Sequence, residues 1–530
     1  MKANSRPGAP KLLDYVGWTA DDQQTVEVPA VQPRVDDLMT ARMPISKRIG
    51  GAVRCEAIPL HPDDYTTLRT PAVRIASDRP VDFAPRMGKL LFIFVLCLTI
   101  DFLFIGASPH NWLNWYLTFV WCTYLPLTII GFLGALAVRN QRIQPYVGVR
   151  QEQVIFLIPT VARKDTLPGL YRVIDSILLC APRHLTNYTI HLLLEEDAEG
   201  SIEIQHHYRL HKHVICILIP KKYTPTRGTR YKARANQYAV EYRRQLGING
   251  SDVFIYHGDD DTSIGHDTIW SIAQFIEKND HDLAQGLLTF PHQLSKSWFC
   301  RLADSIRPGD DISRFYFCTG RIGTPLVGLH GEHLLIRATV EEELGWDFGP
   351  SVTVEDAYFG LHFASRYPGR ATFLPSCSYG ASPSSVSEFI RQRRRWAAGL
   401  VKLLADRSIP WKTKPFLCYS IANWTIGLFQ HIILIVIIAG ATHSTDTSPI
   451  LSAIIAVWCA NFAFQVWMYL EGLRVNLEAS QAPRSRFFFL PFMIIPIIPF
   501  LSFVEALSAF LGLLDSMRKR QGFDVISKEL

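Results

Sequence analysis

The 530-residue chain predicts an α/β soluble domain on a mainly parallel sheet, inserted between transmembrane α-helices. Apolar residues make up 48% of it and fall in blocks rather than at helix or strand period, as in a membrane protein. Between the blocks the sequence is mixed and charged. There, short β-rich runs alternate with helical spacing and end in polar or acidic clusters, which places ligands at the carboxyl ends of the strands.

Residues 1–88 carry recurrent Pro and charge and no apolar core of the signal-peptide kind, which predicts a mostly disordered cytosolic tail. Residues 90–107 and 112–138 are each long enough to cross a bilayer of about 30 Å. The polar link Ser108-Pro-His-Asn111 joins them into a transmembrane hairpin within 89–139. Residues 417–441 and 449–471 predict a second pair. Arg86 and Lys89 before the first span, Arg139, Arg142 and Arg150 after the second, and Lys402, Arg407, Lys412 and Lys414 before the third put the soluble domain in the cytosol. The link 442–448 has no Lys or Arg and fits the opposite face. The last block, 487–515, holds Pro491, Pro496, Pro499 and Glu505 and is followed by Arg518, Lys519 and Arg520. A bent pair of half-helices returning to the cytosol fits this better than a single crossing. The domains are then a catalytic domain over 140–384, interfacial helices over 385–415, a membrane bundle over 416–516 and a tail over 517–530.

In the soluble domain, Val154–Ile158 is a strand ending at Pro159-Thr160, and 168–180 has helical spacing. Ile190–Leu194 is a second strand, ending in Glu195-Glu196-Asp197. His213–Ile219 is a third, and Asp252–Tyr256 a fourth that delivers Asp259-Asp260-Asp261. Three crowded carboxylates repel one another, and a hard cation such as Mg2+ or Mn2+ relieves the repulsion with oxygen ligands. Solvent-facing acidic turns are commoner than metal sites, so the triplet gains weight only from three further segments. Lys232 and Asn236 share a helix face and can reach one anionic group, although a solvated basic helix start fits as well. Glu355-Asp356, preceded by the Gly-rich 328–333 stretch, can serve a hydroxyl as general base, one member ionised and the other orienting. Gln392, Arg395 and Trp396 form one helix face, where Trp stacks and the Arg fork binds phosphate oxygens. Arg393 and Arg394 read as contacts to lipid headgroups.

The net charge of +6 is accounted for by juxtamembrane Lys and Arg, so the expected partner is the lipid bilayer and not nucleic acid. The ten cysteines show no CxxC pair or matched His set, which argues against a zinc site or disulfide framework.

The order Lys232-Ala-x-Ala-Asn236, Asp259-x-Asp261, Glu355-Asp356, Gln392-x-x-Arg395-Trp396 between membrane helices resembles the membrane-integrated family 2 glycosyltransferases. These include the cellulose, chitin and hyaluronan synthases, and the resemblance spans about 150–520. Leu302-Ala-Asp-Ser-Ile-Arg307, Asp310-Asp311 and the stretch containing Gly331 look most like the Egghead-type β-1,4-mannosyltransferases. The resemblance implies a GT-A-like (Rossmann-like) domain in a multi-pass protein of the plasma membrane or the ER and Golgi. By the same resemblance, Pro159, Thr160, Glu195, Glu196 and Asp197 would hold base and ribose, and Lys232 would approach the diphosphate. Asp259 and Asp261 would hold a Mg2+- or Mn2+-bound donor beside Asp260, with Asp261 the direct ligand. Asp356 would take the acceptor proton beside Glu355, while Gln392, Arg395 and Trp396 close over diphosphate and acceptor near Gly331. Two departures stand out: the triplet is Asp-Asp-Asp, and Glu195-Glu196-Asp197 replaces the usual Asp near the first strand.

Three functions follow. The first is inverting transfer of one sugar, plausibly mannose from GDP-mannose, to a glycolipid such as a glycosylceramide. The second is processive synthesis of a β-linked polysaccharide on a growing glycan acceptor, from a UDP-sugar. In that case Trp424, Gln430, Asn461, Gln465 and Trp467 would line a channel, although packing explains them more simply. The third is an inactive transporter or scaffold, against which the intact motifs argue.

Overall fold

The computed structural model describes residues 80–100, 122–440 and 449–518. Its centre is one eight-stranded sheet. The strands are β1 (Gln153–Thr160), β2 (Tyr188–Glu195), β3 (Val214–Ile219), β4 (Val253–His257), β5 (Ser263–Ile264), β6 (Leu283–Thr289), β7 (Leu334–Arg337) and β8 (Ala371–Tyr379), in the order β3-β2-β1-β4-β7-β6-β8-β5. The four strands expected from sequence form the parallel half, β3-β2-β1-β4. The other half corrects the expectation of a mainly parallel sheet. β7 runs antiparallel to both β4 and β6, β5 runs antiparallel to β8, and only β6 and β8 are parallel there. The sheet is therefore mixed.

β1 is apolar on both faces because both are covered. Val154, Phe156 and Ile158 pack with Ile174 and Ile177 of the helix Leu167–Cys180, while Ile155 and Leu157 pack with Ala235 and Ala239 of the helix Tyr231–Leu246. Burying an Ile or Leu stabilises by about 1.5–3 kcal/mol, so the small Ala pair fixes how closely the second helix lies on the sheet. That approach sets the position of Lys232 at the helix start.

Helices Met87–Ile100, Leu125–Val138, Pro415–Gly440 and Pro449–Ala479 occupy the blocks expected to be membrane spans. The links at 108–111 and 442–448 lie outside the described residues. Among the described residues, one helical run, Ser485–Met517, is long and apolar enough to cross a bilayer, and Met87–Thr99 and Leu125–Val138 are shorter apolar helices. The long run is broken by a 3-10 turn at Ile495–Ile497, with Pro491 and Pro499 on either side. Its second half, Ile498–Met517, packs on the helix Val386–Ala405, where a Cβ on Gly512 would lie 2.4 Å from the Arg394 carbonyl. Residues 80–86, expected in the tail, are held instead. Arg474 donates to the carbonyls of Asp82 at 2.6 Å and Ala84 at 3.0 Å, and Phe83 packs edge-on to Phe373.

Close backbone contact joins the helix Pro449–Ala479 to the short helix Ile306–Asp310. A Cβ on Gly472 would lie 1.7 Å from the Ser305 carbonyl oxygen, and one on Gly309 would lie 2.2 Å from that of Met468. Only glycine fits at either position.

Candidate active site

The carboxyl ends of β1, β2 and β4 open into a cavity of about 1400 Å³ that continues between the helices on the far side of the sheet. Most of the residues singled out from sequence meet there: Pro159, Thr160, Glu195, Asp197, Lys232, Asp259, Asp260 and Gly331 on one side, Glu355, Asp356, Gln392, Arg395 and Trp396 on the other. Two do not. Asn236, one turn deeper in its helix than Lys232, is 1% exposed and is not part of the lining. Its short side chain cannot span the distance that the lysine stem does. Glu196 is exposed and accepts the Lys221 backbone N–H at 3.0 Å.

On the β2 side, both Glu195 oxygens accept from Arg234 Nη1, at 2.5 and 2.7 Å, and the guanidinium lies over the Tyr223 ring. Asp197 pairs with Lys221 at 2.9 Å at the open rim. Thr160 donates to Asp260 at 2.6 Å, which ties the end of β1 to the acidic turn after β4.

Lys232 Nζ bridges the Asp259 carboxylate and, at 2.7 Å, the Gly331 carbonyl. Burial works against its charge, but Asp259, Glu355 and Asp356 outweigh burial and hold its pKa above the usual lysine value. Glu355 and Asp356 open the helix Glu355–Arg366, whose N-terminal dipole favours negative charge. Burial, then the neighbouring Asp356 charge, pushes Glu355 up to about 7. At Asp356 burial also raises the pKa, opposed by Lys232 and by the Ala357 N–H that donates at 2.8 Å. Both members are thus raised by burial, and Lys232 opposes the rise at each.

Oxygens of Asp259, Asp261 and Glu332 lie within 4.8 Å of one another. Three carboxylates with no nitrogen or sulfur donor suit a hard divalent cation. Glu332 was not among the candidates from sequence. It sits one residue beyond Gly331, just before the apolar start of β7, and an acidic residue closing a Gly-rich loop was the available signal. Thr262 donates to Glu332, and Arg307 approaches it at 3.8 Å.

The segment 302–311 braces the site. Arg307 lies 5.0 Å from the Trp396 ring centroid, and Arg393 lies 4.4 Å from it. Arg393 corrects its expected role. It is buried and ion-paired with Asp304 and, at 2.8 Å, with Glu505, while also donating to Gln392 at 2.6 Å. Arg394 pairs with Asp515 rather than reaching headgroups. Both arginines sit where Ile498–Met517 packs on their helix, a partner that sequence spacing did not reveal. Deeper in the cavity, Trp424, Asn461 and Gln465 line the wall. Trp467 is buried and donates to the Arg86 carbonyl, and the Gln430 side chain lies outside the described residues.

Residues 254–470 match the family described as glycosyl transferase family group 2. The chain is 25% identical over 389 residues to the beta-1,4-mannosyltransferase egh of Drosophila melanogaster, spanning 71% of this chain and 78% of that protein. It is 27% identical over 209 residues to the beta-1,4-mannosyltransferase bre-3 of Caenorhabditis elegans, spanning 39% of this chain and 45% of that one. Among solved structures it is similar to the mannosyltransferase PcManGT from Pyrobaculum calidifontis in complex with GDP-Man and Mn2+, at 12% identity and a TM-score of 0.43, covering 82% of this chain and 100% of that one.

Proposed function

We infer, from the premise that the chain is a family 2 glycosyltransferase similar to the Egghead-type mannosyltransferases, that it transfers mannose from GDP-mannose to a membrane glycolipid with inversion. The observation that carries this reading is the meeting of Lys232, Asp259 and Asp356 around Gly331. A Cβ on Gly331 would lie 2.9 Å from Lys232 Nζ and 3.3 Å from Asp356 Oδ2. One small opening thus brings a cation for the leaving diphosphate and a carboxylate for the acceptor within a few ångströms.

Asp356 accepts the proton of the acceptor hydroxyl as that oxygen bonds to the anomeric carbon and the bond from carbon to phosphate oxygen breaks. The leaving GDP takes the electron pair. A single base suffices for one inverting displacement, so no covalent sugar-enzyme intermediate forms. Lys232 and Arg395 donate to the diphosphate as its charge grows, in a cleft where such contacts count for more than in water. Trp396, which lines the cavity and is steadied by Arg307 and Arg393, offers its ring to the acceptor sugar. Asp259, Asp261 and Glu332 would hold Mg2+ or Mn2+, which would supply charge neutralisation at the diphosphate. Asp197 and Lys221 at the rim suit a base with both donors and acceptors.

We place the protein in the membrane as a multi-pass chain with its catalytic domain on the cytosolic face. The long helices on either side of the sheet domain and the basic residues flanking them support this reading.

A second reading, processive synthesis, draws on the inner wall of the cavity, where Trp424, Asn461 and Gln465 give polar and aromatic contacts suited to a glycan. Purified protein in lipid nanodiscs, given Mn2+ or Mg2+, a panel of UDP- and GDP-sugars and glycosylceramide acceptors, separates the readings by product size. One mannose added from GDP-mannose supports the first. A long polymer from a UDP-sugar replaces it with the second, and no turnover of any donor sinks both.

A further inference from the structure

His330 precedes Gly331 in the loop that faces Asp356, and every part of it but one ring edge is fixed. Its backbone N–H donates to Gln285 Oε1 at 2.8 Å, and the same Gln285 amide donates to the carbonyls of Glu332 at 3.0 Å and His333 at 3.1 Å. The ring stacks on Phe315 with centroids 4.4 Å apart and planes 24° apart. Nε2 lies 2.7 Å from Oδ1 of Asp311, which is 3% exposed and also accepts the Leu288 N–H at 3.1 Å. A carboxylate accepts, so Nε2 carries the hydrogen, and in the neutral ring Nδ1 presents a lone pair. Nδ1 makes no hydrogen bond among the described residues, and the side chain is 16% exposed. His330, Phe315 and Asp356 all line the cavity.

We propose that Nδ1 of His330 accepts a hydrogen bond from a second hydroxyl of the acceptor sugar, next to the hydroxyl that gives its proton to Asp356, and so orients the acceptor for attack. This rests on the glycosyltransferase reading above. Phe315 and Asp311 set the ring plane and the tautomer, so little freedom is lost when the sugar binds. A polar group built to meet a hydroxyl discriminates strongly against a sugar that lacks it, because the ring nitrogen is then left desolvated and unmet. His330 is a positioning residue, distinct from the base.

The test uses the full chain in nanodiscs and two isosteres. His330→Gln places an amide where Nε2 stood, so it can still donate to Asp311 but offers nothing at the Nδ1 position. His330→Asn does the reverse. We expect His330→Gln to lower kcat/KM for the glycosylceramide acceptor about 10- to 100-fold, mainly through KM, with GDP affinity within about twofold of wild type. His330→Asn recovers part of the acceptor KM. Acceptors lacking single ring hydroxyls give an independent reading. One deoxy analogue costs wild type a similar factor and costs His330→Gln nothing further. Wild-type acceptor KM in His330→Gln, or a loss of GDP affinity in proportion to the loss of transfer, overturns the proposal and leaves the glycosyltransferase reading standing. A wild-type protein that turns over no nucleotide sugar overturns that reading first.

Discussion

Arg393 and Asp304 form an ion pair whose side chains are 2% and 1% exposed, beneath the Trp396 ring. Breaking a buried pair strands a desolvated charge, which costs about 3–5 kcal/mol. Asp304→Ala should fall at the low end of that range, because Glu505 still meets Arg393. Thermal unfolding in detergent reads the loss. Adding Arg393→Met together with Glu505→Gln removes every charge of the cluster and should recover most of it, and a triple variant as unstable as the single one would count against the pairing.

Asp356→Asn keeps shape and removes the base. Transfer should drop about 10²- to 10⁴-fold with GDP affinity nearly unchanged, as measured by calorimetry alongside product formation. Loss of nucleotide binding in this variant would mean that Asp356 holds the donor rather than the acceptor.

The pH profile of transfer should reflect Glu355, whose carboxyl is pushed up to about 7 by burial and then by Asp356. As pH rises through that value Glu355 ionises, its charge makes Asp356 more basic, and the rate rises. In Glu355→Gln the neighbour stays neutral at every pH. Its profile should be flat from about pH 6 to 8 while wild type climbs, and a matching limb in the variant would move the titration to another group.

Glu332→Gln removes one of three carboxylates from the candidate cation site. The Mn2+ concentration for half-maximal transfer should rise about 10- to 100-fold, with activity restored at high Mn2+. Chelation should silence wild type. Unchanged Mn2+ dependence in the variant would leave Asp259 and Asp261 as the ligands and give Glu332 to its contacts with Thr262 and Arg307.

The parallel half of the sheet was legible because β1 to β4 are apolar runs that end abruptly in polar clusters. The other half was not. β6 carries Gln285 and Gly286 in mid-strand, β8 is interrupted by Pro375, and β7 has four residues and β5 two, so none shows an unbroken period long enough to read. Motifs whose members are close in sequence were found, including Lys232, Asp259, Glu355 and Gln392. His330 and the Asp304–Arg393 pair acquire their roles only through contacts across dozens of residues, and no local pattern marks them, while Glu332 shows only as an acidic residue closing a Gly-rich loop. Asn236 failed for the opposite reason: it shares a helical face with Lys232, but one turn further in that face is under the sheet.

The glycine contact between Pro449–Ala479 and Ile306–Asp310 leaves no side-chain cushion between the two backbones, since a methyl group at Gly472 would already collide with the Ser305 carbonyl. Arg307 and Asp311, which steady Glu332 and His330, follow directly on that junction. A tilt of the long helix is therefore passed on without slack, like a lever on a hinge with no play. On the proposed membrane placement, bilayer thickness would set that tilt and so control how well Glu332 and His330 are aligned.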